Sequence, residues 1–214
     1  MKTALTAAFL YYSRRPSWKL FVVLMGAALT RETGFLLPLA YCAYLAWRRE
    51  FRRAGIFLLS TAPALAWYAY VQVHTAGHPF DISLIPFSSI LRALRNPLHY
   101  PPGIPFADAV RGADYLALAG MVLGLGLAFR YFTVRDPVCV AAMLFATLAV
   151  VVQPVETWQN VYAFGRIYTP VLICLAALAG QSRNPWLLAP AAMILPRLAI
   201  QLAPQAWGIV RWIA

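Results

Sequence analysis

WKLFVVLMGAALTRETGFLLPLAYCAYLAW, residues Trp18 to Trp47, decides the fold. As one helix it would be about 45 Å long at 1.5 Å per residue. A membrane's hydrocarbon core is only about 30 Å thick. The run is interrupted by Thr30-Arg31-Glu32-Thr33-Gly34, and basic clusters flank both ends: Arg14, Arg15 and Lys19 before it, Arg48, Arg49, Arg52 and Arg53 after it. Positive clusters favour the cytoplasmic face. A hairpin of two short helices meets both constraints and places Arg31 and Glu32 at its apex, away from the cytoplasm. Such an apex must be covered by protein or water, because irregular backbone does not face lipid.

The rest of the chain agrees with a membrane reading. It has 214 residues, of which 62% are hydrophobic and 12% charged, with mean hydropathy +0.66. A soluble domain is about 45–50% apolar and about 25% charged, so a water-soluble globule and a disordered chain are both excluded. The net charge of +11 comes from 18 basic and 7 acidic residues. In a soluble protein that balance would point to nucleic acid. Here the basic residues lie between apolar runs, so they act as a topological signal and no nucleic-acid partner is expected. Cys42, Cys139 and Cys174 all lie inside apolar runs and read as small hydrophobes rather than a disulfide framework or a zinc site.

Outward from the hairpin, Ala4–Tyr12 is too short to span and reads as the last turns of a helix. Gly55–Val73 leaves the cytoplasm, with a kink expected at Pro63. Residues 74–112 form one large proline-rich outer loop, with a short interfacial helix expected within Ile82–Leu94. Asp114–Tyr131 returns, and Pro137–Val152 goes out again behind an Asp136 cap with proline at the first helical position. Gln153–Arg166 reads as a short outer loop, Ile167–Gly180 as a span and Gln181–Asn184 as a cytoplasmic turn. Trp186–Ala203 is the last span, with Trp207 and Trp212 in an interfacial tail. The expected fold is all-α: a polytopic transmembrane helical bundle of about six to eight membrane helices, counting the hairpin. Residues 1–214 read as a single transmembrane domain. Ten basic residues (Arg14, Arg15, Lys19, Arg48, Arg49, Arg52, Arg53, Arg130, Arg135, Arg183) fall on the presumed inner side, against five (Arg31, Arg92, Arg95, Arg111, Arg166) outside.

Five of the seven acidic residues, Glu32, Asp81, Asp108, Asp114 and Glu156, face the outer side with those five arginines. Carboxylates for proton transfer and arginines for phosphate are the materials of a transferase site. Loops tolerate charge in any case, so Asp81, Asp108 and Asp114 taken singly carry little. Arg31-Glu32 weighs more, because ionisable groups deep in an apolar block default to function. Both are candidate cavity residues. Arg166, at the head of a span and close to Tyr162, suits a lipid phosphate, although snorkelling would also place it there. Arg197 lies about 16 Å into the last span and is expected to face the bundle interior. His74 and His78 are four apart, but Gly77 and Pro79 argue for a loop, and no metal site is expected.

The run Leu29-Thr30-Arg31-Glu32-Thr33-Gly34-Phe35-Leu36-Leu37-Pro38, then an arginine-rich turn and a span ending in Trp67-Tyr68, resembles bacterial polytopic glycosyltransferases of the GT-C type, family-39-like and mannosyltransferase-like enzymes. Gly165-Arg166-Ile167-Tyr168-Thr169-Pro170 resembles a late outer-face stretch of the same enzymes. The likeness covers residues 18–72 and 160–175 and rests on short motifs. It implies a hexosyltransferase in the bacterial inner membrane. Such an enzyme moves a sugar from a polyprenyl-phosphate carrier to a glycan, lipid or protein acceptor on the non-cytoplasmic face, without a cofactor. Arg31 and Arg166 carry over as carrier-phosphate residues, with Glu32, Tyr162 and Arg197 lining the cavity. No catalytic acid carries over. The family's base lies in a first outer loop that precedes the hairpin, so the chain reads as the C-terminal part of a larger one. Glu156 and Asp81 are the remaining candidates. Two rival readings stand beside this one: a transporter or flippase component, since broken helices with buried charge also mark substrate sites, and a non-catalytic partner subunit.

Overall fold

The computed structural model describes residues 2–15, 17–75, 85–95, 107–151 and 161–213, with side chains from Tyr168 onward in the last segment and to Pro204 and at Gly208 within it. Every regular element among them is helical: α1 (Lys2–Tyr12), α2 (Trp18–Thr30), α3 (Leu36–Trp47), α4 (Phe51–Leu58), α5 (Ala62–His74), α6 (Ser88–Arg95), α7 (Ala107–Arg130), α8 (Pro137–Val151), α9 (Val161–Ser182) and α10 (Ala189–Ile213), with 3-10 turns at Glu32–Phe35, Leu59–Thr61 and Pro185–Leu188. Phe51–His74, Ala107–Arg130 and Pro185–Pro204 are long and apolar enough to cross a membrane. Trp18–Thr30, Pro137–Val151 and Tyr168–Ser182 are apolar but shorter. About six to eight membrane helices were expected, counting the short hairpin; among the described residues three satisfy both length and composition.

Local chemistry explains most of the boundaries. Pro63 has no N–H for the Leu59 carbonyl. The Ala62 N–H takes that carbonyl instead, tightening the chain into the 3-10 turn between α4 and α5. Ser60 and Thr61 donate to the carbonyls of Phe57 and Leu58 at 2.6 and 2.7 Å, so the break leaves those acceptors satisfied. The expected kink is therefore a stretch of 3-10 helix. Asp136 Oδ1 accepts from the Val138 N–H at 2.8 Å, the expected cap ahead of Pro137. After α9, Arg183 adopts φ 52, and Asn184 Oδ1 accepts from the Trp186 N–H at 3.2 Å to start the next turn. The interfacial helix within 82–94 appears as α6, which buries Ser89, Ile90 and Ala93 and exposes Arg92 and Arg95.

Three boundaries differ from expectation. α7 begins at Ala107, so residues 107–112 of the large loop are helical. α9 begins at Val161, so Tyr162 and Arg166 lie in a helix rather than in the loop Gln153–Arg166. Val161-Tyr162-Ala163-Phe164 continues the apolar run of the span, and Gly165 alone is too weak a breaker to stop it. The tail with Trp207 and Trp212 is the end of α10, which runs to Ile213 through Pro196 and Pro204. Of the cysteines, Cys139 and Cys174 are buried and Cys42 is half-buried, all with free thiols.

The hairpin forms as read. Phe21, early in α2, and Tyr41, midway along α3, both pack on the Phe57 ring, with centroids at 6.4 and 4.9 Å, and α3 runs back along α2. The basic turns gather at one end of the bundle. Tyr12, Arg14, Arg15 and Lys19 share a cavity with Gln181 of α9. Ser17 and Trp18 share another with Arg53. Tyr131, after α7, accepts from Asn184 Nδ2 at 2.9 Å. The helices thus alternate in direction, and the ends of α2 and α8 lie at the opposite face, where the Phe87 N–H donates to the Val150 carbonyl at 3.3 Å.

The apex closes tightly because Gly34 lies against α2. A methyl group on Gly34 would overlap the Ala27 carbonyl, which is backbone and has little room to move. Gly34→Ala is expected to destabilise the purified protein by about 1–3 kcal/mol, the cost of overpacking. Gly55→Ala, where nothing lies within 4 Å of the added carbon, is expected to be neutral or stabilising. Unfolding by sodium dodecyl sulfate in mixed micelles measures both.

Candidate functional site

The apex sits where α2 stops. Arg31 is extended, at φ −170 and ψ 155, and cannot continue the helix. Thr30 Oγ1 donates to the Gly26 carbonyl at 2.6 Å, and the Gly34 N–H donates to the Arg31 carbonyl at 2.8 Å, so the broken backbone keeps partners on both sides. α2 has 13 residues, about 20 Å at 1.5 Å per residue. If α2 starts at the basic interface, the apex lies about 10 Å short of the far side of a core about 30 Å thick. Arg31 is half-buried there and Glu32 exposed. Among the described residues neither forms an ion pair. The Phe35 ring packs 5.8 Å from Tyr68 of α5, and the Tyr68 hydroxyl lies within electrostatic range of both Glu32 and Arg31. A cation, a carboxylate and a phenol thus lie near one another at the helix break.

Arg197 faces the interior, as its position in the span predicts. Its side chain is 6% exposed, its Nε donates to Asp114 Oδ1 of α7, and its Nη1 donates to Gln201 Oε1 at 3.1 Å. Asp114 is therefore no loop charge. It is the counter-ion of the last span. α10 packs chiefly along α7, with Gly120 against Met193 and Pro190, and Gly124 against Pro190. The apex packs on α2, α3 and α5. Arg197 thus sits at the α7–α10 contact, and Arg31 at the apex beside α2, α3 and α5.

Tyr168 has a role that sequence reading missed. Its buried hydroxyl donates to the Met121 carbonyl of α7 at 2.6 Å, and it lies against Gly124, where any side chain would collide with it. Gly120 and Gly124, small residues four apart within α7, are the sequence signal for that close packing.

No family model, curated protein or solved structure matches this chain.

The other candidates fall as follows. Arg166 and Tyr162 occupy the first two turns of α9, and their side chains are outside the described residues. Asp81, Glu156, His78 and His99 are outside them altogether. His74 is the last residue of α5, with its ring stacked on Tyr70 at 4.2 Å and its Nδ1 2.8 Å from the Tyr70 carbonyl. Asp108 and Arg111 pair at 3.3 Å on the exposed first turn of α7. Among the described residues no cluster of three or more His, Cys, Asp or Glu is placed to hold a metal ion.

Cutting a buried pair strands a charge, whereas removing both partners does not. Asp114→Leu and Arg197→Met are each expected to destabilise by about 3–5 kcal/mol, and the double variant by clearly less than either single change. The same detergent unfolding series measures the three. A double variant whose loss equals the sum of the two single losses would show that the two groups are not coupled.

Proposed function

We propose that this chain is a glycosyltransferase-like membrane protein that binds a polyprenyl-phosphate-linked sugar on the face opposite its basic turns, with Arg31 as the phosphate ligand. One observation carries the reading: the stretch that resembles GT-C enzymes, Leu29–Pro38, coincides with a helix break whose half-buried arginine makes no ion pair among the described residues. A half-buried guanidinium at such a break is suited to a bidentate phosphate contact. The apolar walls of α2 and α5 suit the carrier's isoprenoid chain.

In the proposed reaction, the acceptor hydroxyl oxygen attacks the anomeric carbon and the carbon–oxygen bond to the carrier phosphate breaks. The phosphate leaves with both electrons of that bond. Arg31 stabilises the charge that develops on it. The hydroxyl proton passes to a carboxylate, and we assign that role to Glu32, which is exposed beside Arg31. Arg166, in the second turn of α9, is a second phosphate ligand in this reading.

Proteoliposomes containing the chain and a polyprenyl-phosphate-linked radiolabelled mannose test the proposal. Wild-type protein is expected to transfer label to an added acceptor. Arg31→Gln is expected to lower turnover roughly 100-fold, the usual cost of one lost donor to developing negative charge. Glu32→Gln is expected to lower it with a changed pH profile. Counterflow of the intact carrier without transfer would move the chain to the flippase class. Unchanged turnover in Arg31→Gln would remove the apex from the site.

A further inference from the structure

At the basic end, opposite the apex, a cavity of about 830 Å³ opens between the ends of α1 and α9 and the start of α2. Arg14, Arg15 and Lys19 stand on its rim with Gln181, and its wall includes the apolar Leu10 and Ala177. Among the described residues no carboxylate lines it, and none of the three cations makes an ion pair. The next basic turn differs in having a carboxylate of its own: there Glu50 pairs with Arg48 at 3.2 Å and with Arg53 at 2.8 Å. Three cations held together without a counter-ion repel one another, and an anion seated among them removes that repulsion.

We infer that this cavity binds the phosphate headgroup of an anionic lipid from the leaflet at the basic end. The cationic rim meets the phosphate, and the apolar wall meets the first part of the acyl chains. Basic pockets between membrane helices recognise acidic lipids by this division of labour. A soluble phosphate shares the headgroup chemistry but makes no use of the apolar wall. The site lies outside the apex and stands or falls independently of sugar transfer.

The test is native mass spectrometry of the whole chain in neutral detergent with equimolar dioleoyl-phosphatidylglycerol and dioleoyl-phosphatidylcholine. The wild type is expected to retain the anionic lipid about tenfold more than the zwitterionic one. The triple variant Arg14→Gln, Arg15→Gln, Lys19→Gln is expected to bring the two to parity. Arg48→Gln, Arg49→Gln, Arg52→Gln removes equal charge from the neighbouring turn and is expected to keep the preference. Ala177→Trp fills the cavity with every charge in place and is expected to lose it, which keeps the inference testable if the triple variant fails to fold. The inference is overturned if Ala177→Trp and the triple variant keep the preference, or if the neighbouring-turn variant loses it equally, which would mean surface charge alone. It is also overturned if glycerol phosphate at the lipid's concentration displaces the lipid, which would make the ligand a soluble anion.

Discussion

The guanidinium of Arg197 is buried in an otherwise apolar helix pair, and the structure around it follows from neutralising that charge. Its Nε reaches Asp114, which sets α10 against α7 in one register: Arg197 beside Asp114, Met193 beside Gly120, Pro190 beside Gly124. A shift by one helical turn, about 5.4 Å, would part the two charges and drive side chains into the positions the glycines keep open. Tyr168 then ties α9 to the same helix through the Met121 carbonyl. One ion pair, two glycines and one phenol thus hold three helices together. Hydrophobic burial, which has no direction of its own, could not choose that arrangement unaided.

The α2–α3 hairpin meets the opposite demand. It must break where no water is assured, and it does so by giving each freed backbone group a nearby partner. Thr30 takes a carbonyl of α2, Gly34 starts the next turn and packs on Ala27, and α3 resumes at Leu36 with Pro38 in its first turn. The result is a pair of short helices joined by a charged tip. The basic turns collected at the other end give the bundle a strong charge asymmetry, and that asymmetry sets its orientation in the proposed membrane setting.

The parts legible in the sequence are those decided within a few residues. The break at Thr30–Gly34, the proline-driven turn before Pro63, the cap at Asp136 and the turn at Gln181–Asn184 all stand where the chain's own chemistry places them. α6 was legible because its buried and exposed residues alternate at helical spacing. Partner choice was not legible. Asp114 looks like any loop charge until α7 is seen to begin at Ala107, which carries the carboxylate into the bundle. A charge inside a span requires a counter-ion at matching depth on a neighbouring helix, and that rule narrows the search for Arg197's partner to the ends of other spans. It cannot say which span is adjacent. The start of α9 was missed for a related reason: one glycine and a polar flank resemble a loop, while packing of the apolar face keeps the helix going.

The 83 positions between Asp114 and Arg197 also impose an order in time. At about 5–20 residues per second, synthesis of that interval takes roughly 4–17 s. Through those seconds α7 exists without its counter-charge. Asp114 lies seven residues into that helix, about 10 Å from its start, close enough to an end to stay hydrated while the helix waits. When α10 arrives, the carboxylate loses its water and gains the guanidinium in the same movement. Insertion of the last helix is thereby coupled to completion of the bundle, and a ribosome that stops before residue 197 leaves a chain whose seventh helix carries an unanswered charge.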